Sequence, residues 1–328
     1  MNDTLAAEAA ERYGVTASQL HPMSGGHCTS VYEVSLDSRA CVLRIIPPGE
    51  GASLQEVRAT HAWMSYLAER GAPVPRPVLA LDGKAVSVIT VNGKPYTLVA
   101  TTKARGVLAE TLSQDRWTRT YFRNIGAVAG KIHALAQEYG PEVSLRRPEW
   151  DHFGDLFSAD QPAAPSVQAK KRCVLAQINA LPKTPDVYGM THGDFHFGNF
   201  FVDPEVSYEV TVFDFDDCAY GWYIMDTAIL LFDILVLYEG PAREAFADEF
   251  LRSYLSGYRS RNPLPPFWVD QLPLFLKLLE ISYYTMLEPG YSATDNTDFW
   301  VARFMPGRKE RVENDLPYVA LDFHQLAE

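Results

Sequence analysis

Short apolar runs with β-branched residues dominate the first hundred residues and are typical of β-strands. The runs VLAL (78–81), ACVLRII (40–46) and PYTLVAT (95–101) are set apart by glycine-containing turns. Ser53 followed three residues later by Glu56 has the spacing of a helix capping box. The pattern therefore predicts an antiparallel sheet with one inserted helix.

Beyond residue 106 the pattern changes to apolar residues at steps of three and four, such as Tyr121, Ile125 and Val128, which predicts long amphipathic helices. The segment 141–185 is rich in proline and weakly periodic, so we expect at most short helices there. We find no internal repeat.

These patterns predict an α+β fold built from two lobes. A β-rich lobe would cover residues 1–100, a linker 101–106, and a larger helical lobe 107–328.

Composition excludes several classes of protein. The chain has 47% hydrophobic and 21% charged residues, which is ordinary for a globular protein, and its net charge of −12 disfavours binding to nucleic acid or to anionic membranes. The N-terminus does not resemble a secretory signal, and the most apolar stretch is interrupted by Asp226 and Asp233. The four cysteines form no CxxC pair, which disfavours zinc or disulfides and is compatible with a cytoplasmic location.

The most informative stretch is THGDFHFGNFFV (191–202), followed by VTVFDFDD (210–217). Here two pairs of apolar segments flank polar loops, and a short hairpin can bring Asp194, Asn199 and Asp214 together. Their oxygen atoms suit a hard cation such as Mg²⁺. Magnesium indicates phosphate, and phosphoryl transfer needs a carboxylate near the attacking hydroxyl.

The run HGDFHFGN with the following FDFDD resembles the catalytic and metal-binding loops of the aminoglycoside phosphotransferase and choline kinase family. The form DFDDCAYGW is most similar to a bacterial branch near homoserine kinases and spore-coat-type kinases. This resemblance implies a bilobal protein-kinase-like fold with ATP as co-substrate, in which the lobe over 1–100 binds nucleotide and the lobe over 107–328 carries catalysis and the second substrate. It also implies that Asp194 is the catalytic base, that His192 braces the loop, and that Asn199 and Asp214 are metal ligands.

The resemblance extends to the predicted nucleotide-binding side. Gly25 and Gly26 lie in a turn whose backbone N–H groups suit ATP phosphates, and Arg44 occupies the place where kinases usually have lysine. Glu56 is a candidate partner for Arg44, although the family often has its glutamate where this chain has Thr60. ATP is expected between the predicted lobes, near 101–106.

Asp226 matches the family's aspartate at the start of the next helix, and we interpret it as that helix's N-cap.

Only eleven residues separate Asp214 from Asp226, which leaves little room for a peptide-binding activation segment and favours a small-molecule hydroxyl as acceptor. Two alternatives remain open: a Ser/Thr protein kinase of the same broad family, and a catalytically idle nucleotide-binding protein.

We expect the acceptor to carry a cationic amine, as in an amino alcohol, a hydroxy amino acid or an aminoglycoside. Asp216 and Asp217 are the predicted substrate-binding carboxylates. The C-terminal region adds a group of acids and aromatics suited to amines, namely Glu280, Glu288, Asp295, Asp298, Tyr283, Tyr284, Phe299 and Trp300.

Overall fold

A computed structural model describes residues 3–23, 29–49, 52–152, 156–292 and 298–327. The chain divides into two compact units. The first unit comprises Met1–Gly106, Tyr139–Arg147 and Thr211–Asp216, and the second comprises Val107–Glu138, Pro148–Val210 and Asp217–Glu328. The chain therefore passes from the first unit to the second between Asp216 and Asp217, within the DFDD motif.

The first unit is built on an antiparallel sheet in which β6 has neighbours on both sides: β3 on one, β4 and β5 on the other. Its strands are β1 (His21–Pro22), β2 (Ser30–Leu36), β3 (Arg39–Ile46), β4 (Pro77–Val78), β5 (Val86–Val91) and β6 (Lys94–Thr102). The predicted run 78–81 forms a strand only at its start. From Ala80 onward the chain turns, because the Ala80 N–H donates to the Lys84 carbonyl, and Leu79 and Leu81 are exposed.

Two helices, α1 (Asp3–Arg12) and α2 (Leu54–Glu69), complete the regular structure of the first unit. The predicted capping box at the start of α2 is confirmed: Ser53 accepts from the Glu56 N–H, and the Glu56 carboxylate accepts from the Ser53 N–H. The helix buries Trp63, whose ring centroid lies 4.6 Å from that of Tyr139 in the later segment of the same unit. Aromatic packing thus joins α2 to that later segment.

The second unit is mainly helical. Its helices are α3 (Arg119–Ala136), α4 (Pro165–Asn179), α5 (Tyr223–Leu235), α6 (Pro241–Arg259), α7 (Pro266–Val269), α8 (Leu272–Leu287), α9 (Phe299–Phe304), α10 (Arg308–Glu313) and α11 (Phe323–Ala327). Helices α3 and α6 approach closely: a Cβ at Gly257 would lie 1.8 Å from the Arg123 carbonyl oxygen, so only glycine fits there. Among the helices of the described residues, none is long and apolar enough to cross a membrane.

Short strands frame the loops that carry the motif. They are β7 (Val107–Leu108), β8 (Tyr188–Thr191), β9 (Phe200–Asp203), β10 (Glu209–Val212), where the chain enters the first unit, and β11 (Ala219–Trp222). In the second unit β8 pairs antiparallel with β11, and β7 with β9.

The prediction of only short helices over 141–185 is wrong, because α4 is fifteen residues long. Pro165 stands in its first turn, where its missing N–H costs nothing. The helical period is obscured because Lys171 lies on the buried face, where its ammonium donates to the Leu156 carbonyl and to the Gln161 side chain.

Candidate active site

The loop between β8 and β9 holds the HGDFHFGN motif, and a single buried carboxylate secures its first residues. Asp226, on the first turns of α5, accepts hydrogen bonds from the backbone N–H groups of His192 (2.8 Å) and Gly193 (3.0 Å). It also lies 3.0 Å from the His133 ring on α3. The buried His192 ring in turn accepts from the Asp194 N–H, so it braces the loop as predicted.

The N-cap interpretation of Asp226 is wrong. Helix α5 begins at Tyr223 and its N-cap is Trp222, which leaves Asp226 one turn inside the helix. Its carboxylate instead serves backbone donors of a different segment, 33 and 34 residues away in sequence.

The carboxylate of Asp194 is held by two side chains of its own loop. The Asn199 amide donates to it at 2.8 Å, and the His196 ring lies at 3.2 Å. Burial pushes the pKa of Asp194 upward, but the hydrogen bond and charge of His196, with help from His192 and Asn199, outweigh burial and hold the pKa below its usual value. Asp194 is therefore an ionised carboxylate at neutral pH.

The amide of Asn199 is oriented by the same contacts. Its Nδ2 donates to both the carboxylate and the backbone carbonyl of Asp194, which directs the amide oxygen away from that loop. This leaves an oxygen atom of the kind that Mg²⁺ prefers.

In the first unit, Asp214 has a positive φ of 62°, a conformation that is uncommon for residues other than glycine and that is found at functional sites. Its exposed carboxylate lies 3.9 Å from the guanidinium of Arg44. Arg44 makes a two-armed ion pair with Asp216, at 3.2 and 2.5 Å. Burial raises the pKa of Asp216, but Arg44 outweighs burial and holds it below its usual value.

Two other predicted nucleotide-binding features remain predictions. Gly25 and Gly26 lie outside the described residues. Glu56 carries out its capping role on Ser53, while the ion pair of Arg44 that the structure shows is with Asp216.

A pocket of about 190 Å³ in the second unit adjoins Asp194. It is lined by Asp194, His196, Ile229, Phe232, Asp233, Leu279, Tyr283 and Trp300. Burial raises the pKa of Asp233, and Asp194 and Glu110 add to the rise, while the charge of His196 and the nearby indole of Trp300 oppose it. The indole N–H of Trp300 is also buried and without a hydrogen-bond partner among the described residues.

Sequence reasoning missed Asp233 as a functional residue. The available signal was a carboxylate inside a helix whose other residues are almost all apolar, since a buried acid is costly unless something pairs with it.

The two predicted substrate-binding carboxylates have different surroundings in the structure. Asp216 is engaged with Arg44. Asp217 is exposed and lies close enough to Tyr283 to raise the pKa of that phenol, together with burial, Asp194 and Asp233.

Of the acids and aromatics predicted in the C-terminal region, some line the pocket and others are engaged elsewhere. Tyr283 and Trp300 line the pocket, whereas Glu280 is fully buried in ion pairs with Lys277 and Arg308, so its role is structural. The carboxylate of Asp298 caps helix α9. Asp295 lies outside the described residues.

Comparison with known proteins decides the family. The model of the phosphotransferase enzyme family matches residues 19–264, three quarters of the chain. The chain belongs to this family. It is 30% identical to amicoumacin kinase of Bacillus subtilis (strain 168), over 98% of this chain and 94% of that protein. It is 27% identical to homoserine kinase of Hyphomonas neptunium, over 80% of this chain and 76% of that protein.

The fold has a counterpart among solved structures. Amicoumacin kinase hAmiN, in complex with AMP-PNP, Ca²⁺ and Ami, is similar with a TM-score of 0.85 and 27% identity, covering 99% of this chain and 97% of that one. The predicted kinase-like α+β fold is confirmed. As a member of this phosphotransferase family, the chain is an ATP-dependent small-molecule kinase that acts on a hydroxyl group.

Proposed function

We propose that this kinase transfers the γ-phosphoryl group of ATP to a hydroxyl of a small compound that also carries a protonated amine. The observation that carries the proposal is Asp233, a half-buried carboxylate on the largely apolar helix α5 that lines the same pocket as Asp194, Tyr283 and Trp300.

Asp194 suits the role of base. The acceptor oxygen forms a bond to the γ-phosphorus while the bond to the bridging oxygen of ADP breaks, and the hydroxyl proton passes to the Asp194 carboxylate. Asn199 and His196 hold this carboxylate in one orientation, so little reorganisation is needed when the hydroxyl arrives.

Asn199 and Asp214 have the oxygen donors that Mg²⁺ requires, and each is presented suitably within its own unit. The Asn199 amide nitrogen is anchored on Asp194, and the Asp214 carboxylate is exposed. Among the described residues, no group of three or more His, Cys, Asp and Glu side chains forms a protein-only metal site. This donor set therefore fits an ion held mainly by phosphate and water, which would neutralise phosphate charge when bound.

The pocket offers an ammonium group both charge and aromatic surface. Asp233 supplies a counter-ion, and the rings of Tyr283 and Trp300, whose centroids are 5.4 Å apart, supply faces for cation–π contact. Partial burial disfavours the charged form of the Asp233 carboxylate, and an ammonium ligand would relieve that cost. The name of one relative agrees, because homoserine is an amine-bearing alcohol.

The cytoplasm is the location that fits this function, because ATP is available there. Among the described residues, Cys41, Cys173 and Cys218 are thiols and not disulfides, which also fits a reducing compartment.

An ADP-release assay over a panel of acceptors tests the proposal. The panel contains amicoumacin, homoserine, aminopropanol, ethanolamine, choline, an aminoglycoside and two uncharged sugars. We expect turnover with one or more amine-bearing members and none above background with the sugars. Preferential phosphorylation of a neutral sugar would contradict the proposed acceptor class, while leaving the phosphotransferase activity itself intact.

A further inference from the structure

The ion pair between Arg44 and Asp216 stands out within the first unit. The guanidinium uses both terminal nitrogens on the two carboxylate oxygens, a geometry that fixes orientation as well as distance. Both side chains are only partly exposed, at 27% and 45%. Such a pair is better defined than most surface ion pairs.

Two further residues of the first unit, Arg147 and His61, lie near Asp216. Arg147 donates from its guanidinium to the backbone carbonyl of Asp216 at 2.7 Å. His61 on α2 lies nearby, and burial together with the charge of Arg44 lowers its pKa to about 4, so it stays neutral and adds no competing cation. The carboxylate of Asp216 is thus held in place to orient Arg44.

We propose that Asp216 is a positioning residue that holds the Arg44 guanidinium ready for the phosphates of the nucleotide. A guanidinium has five N–H donors, and the pair uses two of them, so three remain for phosphate oxygens. Asp216 is therefore a counter-ion for Arg44 and is not the substrate-binding carboxylate that the sequence suggested. The inference rests on the proposed phosphoryl transfer from ATP and on the nucleotide-binding place that the family resemblance implies for Arg44.

The test measures binding of AMP-PNP by calorimetry, and KM for ATP, in Arg44→Gln, Asp216→Asn and the double variant. Both single variants are expected to weaken nucleotide affinity by about tenfold, which corresponds to about 1.4 kcal/mol. Because Asp216 acts through Arg44, the double variant should bind no more weakly than Arg44→Gln alone. The KM for the acceptor should stay within about twofold in all three, which a general loss of structure would not allow.

Asp82→Asn is the matched control, since Asp82 forms a partly exposed ion pair with Arg12 in the same unit, at 3.1 Å. It should leave nucleotide affinity unchanged. If Arg44→Gln itself has no effect, the phosphate-binding role of Arg44 is wrong. If Arg44→Gln weakens nucleotide binding while Asp216→Asn leaves it unchanged or strengthens it, the positioning role of Asp216 is wrong. A raised Mg²⁺ requirement in Asp216→Asn with unchanged nucleotide affinity would overturn it as well, by assigning Asp216 to the metal.

Discussion

Asp194→Asn is expected to lower kcat by roughly 10²–10⁴-fold, the usual contribution of a positioned general base. Asparagine keeps the shape of the side chain but cannot take the acceptor's proton. The folded state should be little affected, because the Asp194 side chain is 36% exposed and its partners belong to the same loop. The measurement is steady-state ADP release with the best acceptor, accompanied by a thermal unfolding curve.

Asp203→Asn is a suitable control for this experiment. Asp203, the last residue of β9, also belongs to the second unit, and its carboxylate accepts from the backbone N–H of Glu205 at 3.1 Å. Its replacement should leave kcat within about twofold. If Asp194→Asn retained kcat within a few-fold of the parent, Asp194 would not be the base.

The second large effect is expected at Asp226. Asparagine would replace one acceptor oxygen by an NH₂ group, which then faces a backbone N–H of the catalytic loop or the His133 ring. Breaking a buried charged hydrogen-bond network typically costs about 3–5 kcal/mol. We therefore expect Asp226→Asn to lower the free energy of unfolding by about that amount, measured by urea denaturation.

We also expect Asp226→Asn to disturb the geometry of the loop that holds Asp194. At temperatures where Asp226→Asn is still folded, kcat should fall while the affinity for nucleotide stays close to that of the parent. Asp248→Asn, which removes an exposed carboxylate from an i,i+4 pair with Arg252, is the control for loss of an acid. An unfolding free energy within about 0.5 kcal/mol of the parent would show that Asp226 does not secure the loop.

Features that depend on local sequence were predicted well. The capping box of Ser53 and Glu56 starts α2 as expected, because both hydrogen bonds are made within four residues. The strand ACVLRII forms β3 (Arg39–Ile46), because its apolar and β-branched residues suit a buried strand. The family motif likewise identified the loop that holds Asp194, Asn199 and His192.

Features that depend on tertiary packing were not predicted from the sequence. The partner of Arg44 proved to be Asp216, which is 172 residues away in sequence, and no local pattern announces such a pair. Asp226 was placed at the helix start by analogy, whereas its function is set by backbone donors on another segment. Helix α4 was missed because Lys171 occupies its buried face and finds carbonyl partners there.

Asp233 illustrates both what the sequence could indicate and what only the structure shows. The sequence showed only that an acid interrupts an apolar stretch, which was read as evidence against a membrane span. The structure places the same acid in a pocket with Asp194, Tyr283 and Trp300, where its carboxylate becomes the strongest indication of the acceptor's charge.

The most direct test of this account compares Asp233→Asn with the parent on one pair of acceptors, the best amine substrate of the panel and its N-acetylated analogue. A control variant, Glu205→Gln, removes an exposed acid of the same unit that does not line this pocket. We expect Asp233→Asn to lower kcat/KM for the amine by about 10–100-fold, the worth of a charged hydrogen bond, and to leave the acetylated analogue within about threefold. An equal effect on both compounds, or none on the amine, would contradict the claim that this kinase selects its acceptor through an ammonium group bound to Asp233.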